Sequence, residues 1–214
     1  MNTPLPAFET RSVRLGAAAG VVALTMYLAR TFVPMPDAVH TACFTLFGPA
    51  LVFAYTGLHP LMQLGGPSLA GRLATVAGII GGATNMMFAV VQLNTLHVLR
   101  AAIAAAETAE AKAEWRHILH GVFTVQNGLN ITMDFFIDLS ALLYAVVMWR
   151  HPAFGRAISL ASIALVGPHL VMKAITFPDA PAAAGLFDAG PLVGVWFALV
   201  MVCVIRWLRR ASTG

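Results

Sequence analysis

The sequence predicts an all-α membrane protein in which a single domain, residues 1–214, is built from six transmembrane helices. Hydrophobic residues make up 59% of the chain and charged residues only 10%, whereas soluble domains carry about 25% charged residues. Apolar runs also recur along the chain at the length of ~20 residues that a helix needs to cross a bilayer. A soluble core of this size does not need so many apolar side chains. The lipid bilayer is therefore the expected main partner.

The boundaries of the spans follow from the apolar runs and the residues between them. The first run is too long for a cleaved secretory signal and is predicted to be an uncleaved first helix. Glycine and proline pairs punctuate later connections. Gly48-Pro49 and Gly167-Pro168 also fall inside spans two and five, where they predict breaks in the helix. The predicted spans are about 14–33, 38–63, 72–99, 129–149, 156–177 and 190–208.

The connection between spans three and four, residues 100–128, is the longest in the chain. Its first half is rich in alanine and carries three glutamates, a lysine and an arginine between residues 107 and 116. This composition is typical of a water-exposed helix, with Trp115 at the membrane interface. We therefore predict an outer helical loop that forms a cap over the outer face.

Basic residues predict the orientation. The termini and loops two and four lie on one side of a six-span protein, and they carry eight of the thirteen basic residues. The positive-inside rule then places both termini in the cytoplasm. The positive net charge does not indicate a nucleic-acid partner, because the basic residues lie singly at segment ends. Arg206, Arg209 and Arg210 form the one cluster, which follows an apolar run as a stop signal does.

Two carboxylates inside span four are the most informative polar residues. Asp134 and Asp138 lie one helical turn apart, and a charge at the bilayer centre costs about 2.5–3.5 kcal/mol on insertion scales, so such residues suggest a functional site. Span five carries His169 and Lys173 with the same spacing at matching depths. Consecutive spans are usually neighbours. We predict that Asp134 faces Lys173 and Asp138 faces His169, or the crossed pairing.

Other polar residues point to the same outer half of the membrane. The inner halves of the spans are expected to be nearly free of acids, amides and histidines. The sequence therefore predicts an outward-facing polar cavity above a dry inner half. The candidate ligand- or proton-binding residues are Asp134, Asp138, His169, Lys173, Gln92, Asn127 and Asn130.

Each candidate also has a structural interpretation. The aspartates could form ion pairs that only set the helix register, and Lys173 could extend its amine to the interface. His117 and His120 have a spacing that a metal could use, although HxxH without an adjacent glutamate is more typical of interfacial histidines. Histidines at matched depths could also ligate haem or a pigment, so the cofactor is left open.

Small residues predict where helices approach each other closely. Two glycine pairs are spaced four residues apart, one in span one and one in span three. This spacing places both members of a pair on one helix face, and it is typical of close packing between transmembrane helices. The glycines assigned to helix packing are Gly16, Gly20, Gly78 and Gly82.

Two regions of the chain carry a resemblance to a known family. The first region contains RHPAFGRAISLASIAL and GPLVGVWFALVMVCVIRWLRR, and the second is LATVAGIIGGATNMMFAVVQLNTL. The first resembles the end, and the second is similar to the third span, of a family of uncharacterised bacterial six-span membrane proteins classified as a domain of unknown function. The resemblance implies a six-span fold in the bacterial inner (cytoplasmic) membrane. It implies no activity, catalytic residue or ligand.

Three classes of function remain open. The first is a binding or transport protein whose cavity takes a small molecule, a lipid headgroup or protons. The second is a membrane-embedded enzyme that uses Asp134 and Asp138 as acid and base. The third is an accessory subunit of a larger membrane complex, or a homo-oligomer, in which the polar residues serve assembly. The chain has no P-loop, GxSxG or GxGxxG motif, so nucleotide-phosphate binding and the familiar hydrolase arrangements receive no support.

Overall fold

A computed structural model describes residues 5–187 and 189–211, and helices dominate this part of the chain. Within it, six helices are long and apolar enough to cross a membrane, which agrees with the predicted number. The third of them combines α3, a π-helical turn at Val91–Thr95 and α4. The helices are α1 Ala7–Phe32, α2 Asp37–Met62, α3 Leu69–Val90, α4 Leu96–Ala105, α5 Ala109–Met148, α6 Gly155–Thr176 and α7 Gly190–Ala211.

The spans pack in sequence order into a closed ring. Each span contacts the next one along the chain, α3 contacts α5, and α7 returns to α1. Because the connections are short, neighbours run antiparallel. The interior of the ring is shared by all six spans, and that shared interior contains the candidate site.

Helix α5 is much longer than the span predicted at 129–149. Its 40 residues measure about 60 Å at 1.5 Å per residue, twice the ~30 Å hydrocarbon thickness of a bilayer. Thr108 caps its first turn, because the threonine hydroxyl accepts a hydrogen bond from the backbone N–H of Ala111 at 3.1 Å. Together, α4 and the start of α5 form a helical hairpin that continues spans three and four. Residues 100–128 are thus mostly helical as predicted, and a cap over the outer face stays a prediction.

The hairpin distinguishes the two ends of the bundle. The hairpin end carries this extension, the α1–α2 turn and the α6–α7 connection; the opposite end carries the α2–α3 and α5–α6 connections. The charge bias predicts that the hairpin end faces outward. The breaks predicted at Gly48-Pro49 and Gly167-Pro168 do not occur, because α2 and α6 both continue through their internal prolines.

Glycines set the closest approaches between helices. A Cβ atom built on Gly16 would lie 2.7 Å from the carbonyl carbon of Gly57, so α1 and α2 meet backbone to backbone. The sequence analysis singled out Gly16 but not its partner on α2. The other predicted packing glycines also meet neighbouring helices: Gly20 lies against Met201, Gly78 against the ring of Tyr55, and Gly82 against Val52 and Gly48.

The half of the bundle towards the opposite end is more polar than predicted. Buried serine hydroxyls there tie helices together: Ser140 Oγ donates to the carbonyl of Ala74 at 2.7 Å, and Ser159 Oγ to that of Ala145 at 2.6 Å. The expectation of a dry inner half did not take these hydroxyl groups into account. It counted acids, amides and histidines, whereas hydroxyl side chains can sit in a helix by bonding to backbone carbonyls.

Candidate functional site

A cavity of about 120 Å³ lies at the centre of the ring. It extends from Arg30 and Gly190, near the hairpin end, to Asp138 and Trp196 in the middle of the bundle, and every span contributes to its wall. Much of the wall is aromatic. The aromatic lining residues are Tyr27, Phe47, Tyr55, Phe88, Trp196 and Phe197; the polar ones are Arg30, Asn85, Asn130, Asp134, Asp138 and His169.

The deeper of the two predicted pairs is Asp138 with His169. Asp138 Oδ2 lies 2.8 Å from His169 Nδ1, and the two residues are 0% and 2% exposed. The approach is close enough for an ion pair but is not aligned as a hydrogen bond. Both carboxylate oxygens and Nδ1 consequently have no aligned hydrogen-bond partner among the described residues. The pair thus offers polar atoms to the cavity that it lines.

The second pair lies one turn nearer the hairpin end. Lys173 Nζ donates to Asp134 Oδ2, and the lysine side chain is 7% and the aspartate side chain 20% exposed. Asp134 lines the cavity, whereas Lys173 lies behind it. The pairing predicted from matched depths is confirmed in its uncrossed form. The physical reason is that α5 and α6 are antiparallel neighbours, so two i,i+4 spacings meet in register.

Polar atoms without a partner are concentrated at the cavity wall. In the described part of the chain, six buried side-chain nitrogen or oxygen atoms have no aligned hydrogen-bond partner, and five belong to residues that line the cavity. A buried polar atom without a partner costs about 1–3 kcal/mol. A molecule in the cavity, whether water or ligand, can reach these atoms. The four residues that carry them are Tyr55, Asn85, Asp138 and His169.

The structure adds residues that the sequence analysis did not select. Asn85 is 2% exposed in the middle of α3, and an amide inside an apolar run is the signal that could have identified it. Arg30 was not among the candidate residues, yet it lines the cavity, and its guanidinium lies 4.4 Å from the centre of the Phe44 ring. The aromatic wall had no distinctive signal, because its members occur at spacings ordinary for core residues.

Besides Lys173, two predicted ligand residues do not line the cavity. Gln92 accepts a hydrogen bond from the side-chain amide of Gln126 at 3.1 Å, and Asn127 donates to the carbonyl of Pro178 at 3.3 Å. Gln92 lies in the π-helical turn, which inserts extra chain into the helix and rotates the following residues relative to α3. Asn130 does line the cavity, as predicted. The hydrogen bonds of Gln92 and Asn127 instead join neighbouring segments near the hairpin end.

A metal site receives no support from the geometry. His117 and His120 are both exposed on the extended part of α5. Within the described ranges, no group of three or more histidine, cysteine, aspartate or glutamate residues is placed to hold a metal ion. His169, the deepest histidine of the cavity, contacts Asp138.

Evidence on function comes from the geometry of the cavity. Comparison of the chain with protein-family models, curated proteins and solved structures found no match. The resemblance to a bacterial six-span family therefore stays a prediction. The arrangement itself is a small, mainly aromatic chamber with a carboxylate and an imidazole at its base and an arginine near its mouth.

Proposed function

We propose that this protein is an integral membrane binding protein that takes a small organic molecule into the central cavity from the hairpin end. The observation that carries the proposal is the concentration, at the cavity wall, of buried polar atoms that have no aligned hydrogen-bond partner. Ligand pockets are mostly apolar with a few convergent polar groups, and this cavity has that composition.

The wall favours a small ligand with an apolar body and a hydrogen-bond donor. The carboxylate oxygens of Asp138 and the carboxamide oxygen of Asn85 are acceptors, and they lie in the same cavity as six aromatic rings. Aromatic faces attract organic cations and apolar groups alike. An engineered apolar cavity of about 150 Å³ in another protein holds benzene. A primary amine or alcohol on a single ring therefore matches the cavity in size and chemistry.

Thermal unfolding of the purified protein in detergent tests this proposal. Benzylamine and benzyl alcohol serve as donor-bearing probes, and toluene serves as the probe of similar shape without a donor. We expect benzylamine to raise Tm by several degrees and toluene to raise it less. Asp138→Asn should reduce the benzylamine shift, while Ser159→Ala, outside the cavity wall, should keep it. The proposal is overturned if neither donor-bearing probe shifts Tm, or if Asp138→Asn responds as the wild type does.

We further propose that both termini are cytoplasmic and that the hairpin end faces away from the cytoplasm, in a bacterial inner membrane. The support is the basic-residue bias between the two sides of the membrane. Ala113 is exposed on the hairpin, so Ala113→Cys provides a labelling site. A membrane-impermeant maleimide applied to intact cells should label this variant. Labelling only after the cells are broken would show that the hairpin end faces the cytoplasm.

The accessory-subunit alternative is favoured by a separate observation. The extended part of α5 carries exposed apolar side chains, among them Ile118, Phe123 and Val125, which are 50%, 41% and 59% exposed. Exposed apolar groups on a projecting element suit contact with another protein. Native mass spectrometry after gentle extraction separates the two alternatives. A bound small molecule on a single chain supports binding, whereas a stoichiometric second protein supports the subunit role.

A further inference from the structure

A chain of hydrogen-bonded side chains occupies the half of the bundle towards the opposite end. His59 Nδ1 lies 2.8 Å from Thr75 Oγ1, and Thr75 Oγ1 lies 2.8 Å from the hydroxyl of Tyr144. The three residues come from α2, α3 and α5. Thr75 and Tyr144 are buried, whereas His59 is half-buried one turn before α2 ends at Met62. The chain thus leads from the interior to the surface at the opposite end.

Tyr55 connects this chain to the central cavity. Its ring stacks on that of Tyr144, with centroids 6.3 Å apart and planes 8° from parallel. Tyr55 also lines the cavity, and its hydroxyl, like the carboxylate oxygens of Asp138 in the same wall, has no aligned hydrogen-bond partner among the described residues. Asp138 in turn contacts His169. A line of groups that can exchange protons therefore runs from the base of the cavity to the opposite end.

These groups differ from the hydroxyls that only join helices. Ser159 donates to the backbone carbonyl of Ala145, where the hydrogen-bonded path ends. Thr75 Oγ1 also lies 3.0 Å from a backbone carbonyl, that of Gly71, but it contacts in addition the side chains of His59 and Tyr144, which can both accept and donate protons. Side-chain hydrogen bonds between transmembrane helices contribute only about 0.6 kcal/mol on average, so stability alone is a weak reason for a buried three-member chain that ends in a histidine. Chains of titratable groups inside membranes typically mark proton relays.

We propose that the line Asp138/His169–Tyr55–Tyr144–Thr75–His59 conducts protons between the central cavity and the opposite face. The Asp138–His169 pair takes up a proton from the cavity and passes one to the oxygen of Tyr55, and each hydroxyl then gives its own proton to the next group. The last proton reaches His59 Nδ1, and His59 releases a proton to the aqueous side. Each hydroxyl gains and loses one proton, so it ends neutral, and the O–H groups rotate to reset. The hydroxyl of Tyr55 has no hydrogen bond to that of Tyr144, so the proposal places one bridging water molecule at this step.

Proton flux into liposomes tests the relay. The purified full-length protein is reconstituted with the dye pyranine inside, and potassium with valinomycin imposes an inside-negative potential. We expect wild-type vesicles to acidify several-fold faster than protein-free vesicles. Thr75→Val and Tyr144→Phe remove single hydroxyls from the relay and should return the rate to that of protein-free vesicles. Thr75→Ser keeps a hydroxyl and should conduct.

Ser159→Ala is the matched control, because it removes a buried hydroxyl from the same half of the bundle but lies off the relay. Its rate should equal that of the wild type. The proposal is overturned if the wild type conducts no faster than protein-free vesicles, or if Thr75→Val and Tyr144→Phe both conduct like the wild type. The wild-type comparison stands even where a variant fails to fold. Tyr144→Phe should still respond to benzylamine, so loss of conduction and loss of binding are separable.

Discussion

Removing one member of the Asp134–Lys173 ion pair should destabilise the protein far more than removing both. Breaking a buried pair by deleting one partner costs about 3–5 kcal/mol, because the other charge is left uncompensated. Lys173 is almost fully enclosed, whereas the aspartate side chain is one-fifth exposed to the cavity. The cost of Lys173→Met should therefore lie near the lower limit, at about 3 kcal/mol.

The double variant Asp134→Asn with Lys173→Met removes both charges and keeps similar side-chain volumes. Replacing a buried pair by neutral groups is often nearly neutral, so this variant should unfold within about 1 kcal/mol of the wild type. The two single changes and the double change then form a double-mutant cycle with a coupling free energy of about 2 kcal/mol or more. The charge exchange Asp134→Lys with Lys173→Asp should likewise restore most of the stability lost in either single variant.

The free energy of unfolding is measured by SDS titration of the protein in mixed micelles, followed by circular dichroism. Lys112→Met is the matched control, because it removes a lysine from the hairpin, away from the two pairs, and should change stability by less than about 0.5 kcal/mol. The reasoning is refuted if Lys173→Met is as mild as this control. It is also refuted if the double variant loses the sum of the two single losses.

Three further predictions concern the packing and the polar contacts of the bundle. Gly16→Ala should lower the free energy of unfolding by about 1–3 kcal/mol, because the new methyl group meets the α2 backbone. Gly128→Ala is the control: Gly128 has open space around it, so this change should be neutral or stabilising by up to ~1 kcal/mol. Equal effects of the two changes would contradict the close packing at Gly16. Burial lowers the pKa of His151, outside the spans, below its ordinary value near 6.5. As pH falls, the unfolded chain therefore binds a proton at His151 before the folded protein does, so the free energy of unfolding should be constant above about pH 6.5 and decline below it. Unfolding measured from pH 8 to 5 should show this decline. If a His151→Gln variant shows the full decline, another group causes it. Ser162→Ala should cost about 1–3 kcal/mol, because the indole N–H of Trp196 donates to the serine hydroxyl at 2.8 Å and would lose its buried partner; a loss below 0.5 kcal/mol in the same titration would contradict this role.

The half of the bundle towards the opposite end contains polar groups that a path for protons or solutes would need. The sequence analysis expected a dry inner half, and such a half would argue against an inward route for protons or solutes. The hydrogen-bonded line through Thr75 and Tyr144 supplies polar groups in that half. Neither residue stood out in the sequence, because threonine and tyrosine are common in apolar helices and because Thr75 and Tyr144 lie 69 positions apart.

The sequence by itself determined the class of the protein and the number of spans, and it limited the ion pairs of Asp134 and Asp138 with span five to two alternative pairings. These features depend on local apolar length and on spacing along single helices, and two antiparallel neighbours with matching i,i+4 spacings leave little choice of partner. It did not determine which faces of α1, α2, α3 and α7 turn inward. Helix rotation depends on packing between elements distant in sequence, such as the meeting of Gly16 with Gly57. Only the closed ring, therefore, brought Asn85, Arg30 and the aromatic side chains together around Asp138, and only the tertiary structure joined His59 to the centre of the bundle.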